Sequence, residues 1–259
     1  MRSICTTLFR VKLTDLNIVS IFLLLCFATR VCAATIALNP SSLQIIIVGE
    51  IVLGDYDRFV EVLKRSHGPI SAVNIVSPGG SVQDAVKIGR LIRSLSFGTN
   101  APSTSNFAPQ ARQMMCSEAA RLDAASPCIC ASACFLIWAG GVMRSGNDIH
   151  IHRIAFDKSF YGSLNPSQAH NKYQEGLDEV HTYLQEMDIP ESIYEKMISM
   201  PSYTAVLLEN APTLWITPSF GEWLTARCGP PNTRPDSQCE LNEWRKISEE
   251  SMRKFRSSE

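Results

Sequence analysis

This sequence has no large excess of basic or acidic residues and no long apolar run. Its 259 residues carry 24 basic and 25 acidic side chains, so it lacks the basic excess typical of nucleic-acid-binding proteins. The apolar run at residues 18–28 is far shorter than the about 20 residues that a membrane-spanning helix needs. No internal repeat recurs at a fixed period. What remains is the composition of one globular domain with a full core, 45% hydrophobic and 19% charged.

The first 33 residues have the pattern of a secretory signal peptide. Basic residues precede the short apolar run, and the small-residue site Val31-Cys32-Ala33 follows it. We therefore expect residues 1–33 to be removed and the mature chain to begin at Ala34, in the periplasm of a double-membrane bacterium or outside the cell. An uncleaved membrane anchor is the alternative. The mature chain would keep 20 basic and 24 acidic side chains, a net charge of −4, and no nucleic-acid partner is expected.

Three of the nine cysteines would leave with the signal peptide, and an even number would remain. An even count in an exported protein favours disulfides. We expect Cys228 to pair with Cys239, and Cys116 to pair with Cys128 or Cys130. Zinc is the alternative, because Cys128, Cys130 and Cys134 lie near His150 and His152, but their spacing is not that of a usual zinc site. No metal or cofactor is therefore predicted.

The order of elements predicts an α/β domain. Residues 43–48 read as a buried strand, residues 55–66 as an amphipathic helix and residues 70–76 as a second strand. A Ser77-Pro78-Gly79-Gly80 turn follows, and Ser81 caps the next helix. Residues 132–143 are apolar on every side, which predicts a buried helix, and residues 148–154 alternate like a strand. Residues 167–187 read as another helix.

Two segments fall outside this pattern. Residues 100–127 are rich in Ser, Ala, Asn and Pro, which predicts a surface insertion with a short helix near residues 111–122. Residues 230–259 form a tail that is Pro-rich and then charged. A terminal helix is expected at residues 240–255, with a solvated charged face. The domain itself is expected to cover residues 34–229.

Ser132 is the candidate nucleophile, because it opens the buried helix. A helix amino terminus favours developing negative charge, and the Ala133 amide is placed to donate to an oxyanion. The Gly79-Gly80 turn offers further amides without side chains that obstruct approach. Serine needs an adjacent base, and His150 and His152 alternate along the strand that follows. Taken singly, Ser132 could equally be a helix cap and the glycines a tight turn.

Three motifs together resemble the Clp protease proteolytic subunits of the Clp/crotonase superfamily. They are the strand-helix-strand run that ends in SPGGSV, the nucleophile helix CASACFLIWAGG, and the strand IHIHR. The resemblance implies a single-domain spiral of ββα units. It also implies that Ser132 is the nucleophile, that His152 rather than His150 is the base, and that Gly79 or Gly80 forms the oxyanion hole with Ala133.

The third catalytic residue departs from the family's pattern. The family has an Asp in a segment that here resembles PTLWITPSFGEWLTARCG, and the matching position falls near Thr213. Asn210 and Glu209 are the nearest side chains that could orient the imidazole. A Ser-His dyad is one alternative. A Ser-Lys dyad with Lys172, as in related membrane-associated peptidases, is another.

These features predict an exported serine hydrolase, in particular an ATP-independent peptidase that forms an acyl-enzyme on Ser132. The substrate would be a peptide or a small ester or amide. No ATP-driven unfoldase is expected outside the cytoplasm, and the resemblance implies a homo-oligomer. One rival is a Clp-like binding or structural module without catalysis. The other, an acyl-CoA enzyme of the crotonase branch, conflicts with export because coenzyme A is intracellular.

Overall fold

The computed structural model describes residues 33–39, 44–68, 70–156, 161–231 and 237–258, which belong to one compact unit. The predicted signal peptide lies outside the described residues, except for Ala33. Within the described ranges we find no helix of the length and apolarity required to cross a membrane.

In the part of the chain that the structure describes, eight short strands form two mixed sheets. They are β1 (Thr35–Asn39), β2 (Gln44–Val48), β3 (Ala72–Val76), β4 (Gly98–Asn100), β5 (Cys130–Ala131), β6 (Arg144–Ser145), β7 (Ile149–Ile151) and β8 (Val206–Leu207). The larger sheet has the order β1-β2-β3-β4-β6, with β1 antiparallel to β2 and the other pairs parallel. The smaller sheet has the order β5-β7-β8, with β7 and β8 antiparallel.

Helices follow most of the strands, which makes the architecture mixed α/β. They are α1 (Asp55–Arg65), α2 (Val82–Ser94), α3 (Pro109–Leu122), α4 (Ala133–Ala139), α5 (Pro166–Glu186), α6 (Glu191–Ser199), α7 (Pro218–Cys228) and α8 (Gln238–Ser257), with a 3₁₀ helix at Ala211–Leu214. The more specific Clp/crotonase-type spiral of ββα units stays a prediction.

Strand β2 and helix α2 illustrate why these segments adopt their structures. Four of the five residues of β2 are buried and three are isoleucine, which suits a strand between two neighbours. At the start of α2, the Ser81 hydroxyl accepts the Asp84 amide at 3.2 Å. The Asp84 carboxylate in turn accepts the amides of Gly54 and Tyr56, both at 3.0 Å. Asp84 therefore fixes the start of α1 against the start of α2, beside the Gly79-Gly80 turn.

The predicted buried helix is shorter than expected. It runs over α4 only, and all seven of its residues are buried. The prediction of residues 132–143 was too long because the Val142 amide donates to the Phe97 carbonyl oxygen at 3.0 Å, outside the helix. The predicted strand at residues 148–154 is likewise confined to β7, so His152 lies beyond its end.

The terminal helix α8 packs on the domain instead of presenting only a solvated face. Met252 is 1% exposed and belongs to the main core. Trp244 Nε1 and the Ser248 hydroxyl donate to the Ser96 carbonyl oxygen, at 2.9 and 3.0 Å. The disulfide Cys228–Cys239 joins α7 to α8. The charged composition of this segment concealed one buried stripe.

A buried arginine fastens several chain segments around α4. Arg144 is 4% exposed and donates to the carbonyl oxygens of Gly141, Leu214, Ala139 and Met187. Burial lowers the pKa of Arg144 to about 9, so its guanidinium is charged at neutral pH. These bonds tie the end of α4 to the end of α5 and to the 3₁₀ helix.

Candidate active site

Ser132 lies at a sharp turn between β5 and α4. Its backbone has φ 57° and ψ −123°, a conformation that residues with a side chain rarely adopt. The Ser132 amide donates to the His150 carbonyl oxygen at 2.9 Å, and the Phe135 amide donates to the Ser132 carbonyl oxygen at 2.9 Å. The strained residue is thus held on both sides, by β7 and by the first turn of α4. A strand-turn-helix elbow of this kind presents a nucleophile in α/β hydrolases.

The Gly79-Gly80 turn lies directly against this elbow. Gly79 has φ +110°, and a Cβ built there would lie 2.6 Å from Ser132 Cβ and 2.9 Å from the Ala131 carbonyl oxygen. The Ala131 amide donates to the Ser77 carbonyl oxygen at 3.0 Å, which joins the two loops. Only glycine fits at position 79, for reasons of both conformation and space.

The predicted oxyanion donors differ in their present partners. Ala133 opens α4, and the first N–H groups of a helix have no acceptor within the helix. The Gly79 amide donates to the Ser77 hydroxyl at 3.0 Å, so it would have to exchange this acceptor for a substrate oxygen. Gly80 has φ +129° and packs against Ile51, whose carbonyl oxygen would lie 2.0 Å from an added Cβ. The turn therefore brings Gly79, more closely than Gly80, to Ser132 and Ala133.

Ser132 and His152 line the same narrow cavity. Its other walls are apolar and come from Val82, Ala133, Leu136, Ile151, Ile154 and Met197. The free volume is about 10 Å³, enough for about one water molecule. Among the described residues, no hydrogen bond joins the Ser132 hydroxyl to the His152 ring. Such bonds are often long without substrate and tighten in the reacting complex.

The His152 ring is oriented by the main chain. Its Nδ1 lies 2.7 Å from the Arg153 carbonyl oxygen, which can only accept, so Nδ1 carries the proton in the neutral ring. That tautomer leaves the lone pair on Nε2, the atom that a general base needs. The Arg153 side chain extends to α6, where its Nε donates to the Ile198 carbonyl oxygen at 2.9 Å.

His150 has a different environment. Its Nε2 lies 2.8 Å from Asp148 Oδ1, and the other oxygen of that carboxylate pairs with Arg112 from α3. Arg112 also donates to the carbonyl oxygens of Ser103 and Cys128. This Arg-Asp-His cluster is absent from the sequence analysis, although the Asp-x-His spacing on a strand places both side chains on one face. His150 does not line the cavity that contains Ser132.

The two side chains expected to orient the base lie elsewhere. Strand β8 pairs antiparallel with β7, with Leu207 opposite His150, and the Leu208 amide donates to the Ile149 carbonyl oxygen at 2.8 Å. The chain beyond Leu208 therefore runs away from His152, and Glu209 and Asn210 are both exposed. Lys172 lies in the second turn of α5 and is not among the residues that line the cavity.

All six cysteines of the predicted mature chain form disulfides, as the even count predicted. Cys228–Cys239 is present, and Cys116 pairs with Cys128, one of its two expected partners. The third disulfide, Cys130–Cys134, flanks Ser132 and has no counterpart in the sequence analysis. The three sulfurs that the zinc alternative requires are thus all in disulfides, Cys128 with Cys116 and Cys130 with Cys134. Among the described residues, no group of three or more His, Cys, Asp and Glu side chains could hold a metal ion.

Comparisons with known proteins found a weak structural likeness and no sequence match. No protein-family model matches the sequence, and no curated protein matches it. One solved structure, a mutant of a membrane-bound stomatin-specific protease, shares 17% identity over 74% of this chain and 87% of its own, with a TM-score of 0.39. At this identity and TM-score, the likeness identifies neither a family nor a function for this chain.

Proposed function

We propose that this protein is a serine hydrolase, in particular a peptidase, with Ser132 as nucleophile and His152 as general base. One observation carries the proposal: Ser132, held at φ 57° on a strand-to-helix turn, lines the same narrow cavity as His152, among otherwise apolar residues. A strained serine costs folding free energy, about 1–3 kcal/mol for such a conformation, and strain of this kind clusters at active sites.

The proposed reaction follows from the positions of the two side chains. Ser132 Oγ attacks the carbonyl carbon of an amide or ester, and its proton passes to His152 Nε2. The Ala133 amide donates to the oxyanion, joined by Gly79 when its amide turns from the Ser77 hydroxyl. The protonated His152 then gives the proton to the leaving amine or alcohol. Water, deprotonated by the same nitrogen, then attacks the acyl carbon; the bond to Ser132 Oγ breaks, the acid leaves, and His152 returns the proton to Ser132 Oγ.

The Arg153 carbonyl supplies the third element of this arrangement. In a Ser-His-Asp triad the carboxylate fixes the tautomer of the imidazole and stabilises its cation. A main-chain carbonyl fixes the tautomer equally well but carries no full negative charge. We therefore infer a Ser-His dyad in place of a triad with Asn210 or Glu209, and a slower enzyme than a triad would give.

The wider setting is proposed on the same basis. The resemblance to the Clp subunits favours a ββα spiral and a homo-oligomer, and the three disulfides favour an oxidising compartment such as the periplasm. An enzyme outside the cytoplasm has no ATP-driven unfoldase. Its substrates would therefore be small, extended or already unfolded chains. No nucleic-acid partner and no cofactor are proposed.

A non-catalytic Clp-like binding or structural module is the second candidate. It is favoured by the placement of Glu209 and Asn210 away from His152, because neither of these side chains then orients the imidazole. A fluorophosphonate probe separates the two candidates. The enzyme should form a covalent adduct at Ser132, located by peptide mapping. Ser132→Ala should abolish the adduct and lower peptide or ester turnover by about three decades or more. Turnover that survives Ser132→Ala would assign the activity to another site, and a wild type without adduct or turnover would favour the module.

A further inference from the structure

The disulfide Cys130–Cys134 joins the two elements that meet at Ser132. Cys130 is the first residue of β5, Cys134 is the second residue of α4, and their Cα atoms are 5.3 Å apart. Only Ala131, Ser132 and Ala133 lie between them, so the proposed nucleophile is the central residue of the closed loop. Both cysteines are 0% exposed, which places the bond inside the core beneath the turn.

Near Ser132, the backbone hydrogen bonds to other segments of the chain lie on the strand side of the residue. On the strand side, the amides of Cys130, Ala131 and Ser132 donate to the carbonyl oxygens of Asp148, Ser77 and His150, at 3.1, 3.0 and 2.9 Å. On the helix side, the Phe135 amide donates to the Ser132 carbonyl oxygen at 2.9 Å, and α4 is held by the packing of its seven buried residues. A residue at φ 57° relaxes unless its surroundings fix it. The disulfide connects the well-held strand directly to the short helix across that residue.

The size of the loop indicates that this effect is local. A disulfide stabilises the fold mainly by restricting the unfolded chain, and the restriction grows with the number of residues that it encloses. Cys130–Cys134 spans a separation of 4, against 12 for Cys116–Cys128 and 11 for Cys228–Cys239. It therefore contributes least to overall stability on this account, while it lies closest to Ser132.

We propose that Cys130–Cys134 is a positioning cross-link that keeps Ser132 in its strained conformation, with its hydroxyl directed into the cavity shared with His152. The inference rests on the proposed function, since it gives the disulfide a part in the reactivity of Ser132. Opening the bond lets α4 and the Ser132 backbone relax. The protein then remains folded but loses most of its reactivity toward a serine-directed probe.

The test compares two double variants that each remove one disulfide. Cys130→Ala/Cys134→Ala removes the cross-link at Ser132, and Cys228→Ala/Cys239→Ala removes the one between α7 and α8. Each is measured for its unfolding midpoint, for its rate constant of labelling by a fluorophosphonate, and for hydrogen exchange of the amides in residues 130–135. We expect the first variant to label about tenfold or more slowly and to exchange the Ser132 amide about tenfold faster. The second should label and exchange like the wild type, although its midpoint falls.

Several outcomes would overturn the proposal. The first is that Cys130→Ala/Cys134→Ala labels and exchanges its amides at the rates of the wild type. The second is that both double variants lose labelling rate by the same factor. If the first variant does not fold, the wild type is treated with a reductant at a temperature below its unfolding midpoint, and alkylation with peptide mapping follows the opening of each disulfide. Labelling should fall as Cys130–Cys134 opens and return as it reforms. Global unfolding on reduction would show that the bond maintains the whole fold, which contradicts a positioning role. A wild type that never labels refutes the hydrolase, while the exchange of the Ser132 amide still decides the role of the disulfide.

Discussion

A single methyl group added at Gly79 should test whether the glycine turn and Ser132 form one functional unit. Gly79→Ala introduces two separable costs. The first is conformational, because φ +110° is unfavourable for a residue with a side chain, at about 1–3 kcal/mol. The second is steric, because the new Cβ would lie 2.6 Å from Ser132 Cβ, whereas carbon atoms in contact lie about 3.5–4.0 Å apart. About 1 Å must therefore be absorbed by the elbow or by the turn.

Gly54→Ala is the matched control. Gly54 has φ +94°, close to the value at Gly79, but an added Cβ would have no neighbour within 4 Å. This variant carries the conformational cost alone. We expect it to lose about 1–3 kcal/mol of unfolding free energy and to keep the wild-type labelling rate. Gly79→Ala should lose about 1–3 kcal/mol more, the usual cost of overpacking a buried site.

The larger difference between the two variants should appear in reactivity. A displacement of about 1 Å at a reacting group can lower its rate about 100-fold. The assay is the rate of fluorophosphonate labelling at Ser132, measured beside urea unfolding for the wild type and both variants. If Gly79→Ala labels as fast as Gly54→Ala at equal occupancy of the folded state, the turn does not control the nucleophile. The reasoning from the 2.6 Å contact would then be refuted.

Further predictions concern the base, the buried polar contacts and the amino terminus. His152→Ala should remove about three decades of turnover, whereas His150→Ala should change it little; equal losses in steady-state assays would contradict the assignment of the base. Arg144→Met should lower the unfolding free energy by about 3–5 kcal/mol in urea titrations, because four carbonyl oxygens lose a charged donor, and a loss below 1 kcal/mol would oppose this. Tyr183→Phe should cost about 1–2 kcal/mol by the same measurement, since the buried hydroxyl donates to a carbonyl of α4, and an unchanged midpoint would show that the bond is worth nothing. Sequencing of protein from fractionated cells should begin at Ala34, and recovery of residues 1–33 in membranes would indicate an anchor.

The elements around the site could be predicted because their signals are local. The run of β-branched residues in β2, the cap at Ser81 and the all-apolar α4 each depend on neighbours within a few residues. The packing of α8 on the domain could not be predicted from such local signals. Met252 reaches the core in a helix that carries nine charged residues among 20, and contacts such as those of Trp244 and Ser248 with Ser96, about 150 residues earlier, determine which face is buried.

The Cys130–Cys134 disulfide beside Ser132 could not be predicted from the sequence pattern. Pairing Cys116 with a cysteine after the insertion follows from proximity in the chain, and Cys228–Cys239 follows from the turn between them. Cys130 and Cys134 are separated by a change from strand to helix. Their approach to 5.3 Å depends on the φ of 57° at Ser132 between them, which periodicity does not specify.

The two histidines, finally, differ because β7 ends at Ile151. Strict alternation from residue 148 to residue 154 would direct His150 and His152 to the same face, beside the same partners. The strand instead keeps His150 in the sheet, where Asp148 and Arg112 engage it. His152 leaves the sheet, and the next carbonyl, that of Arg153, accepts its Nδ1 proton. Among the described residues, the histidine paired with a carboxylate is therefore not the one that lines the cavity with Ser132, and the Nδ1 of His152 faces its own main chain instead.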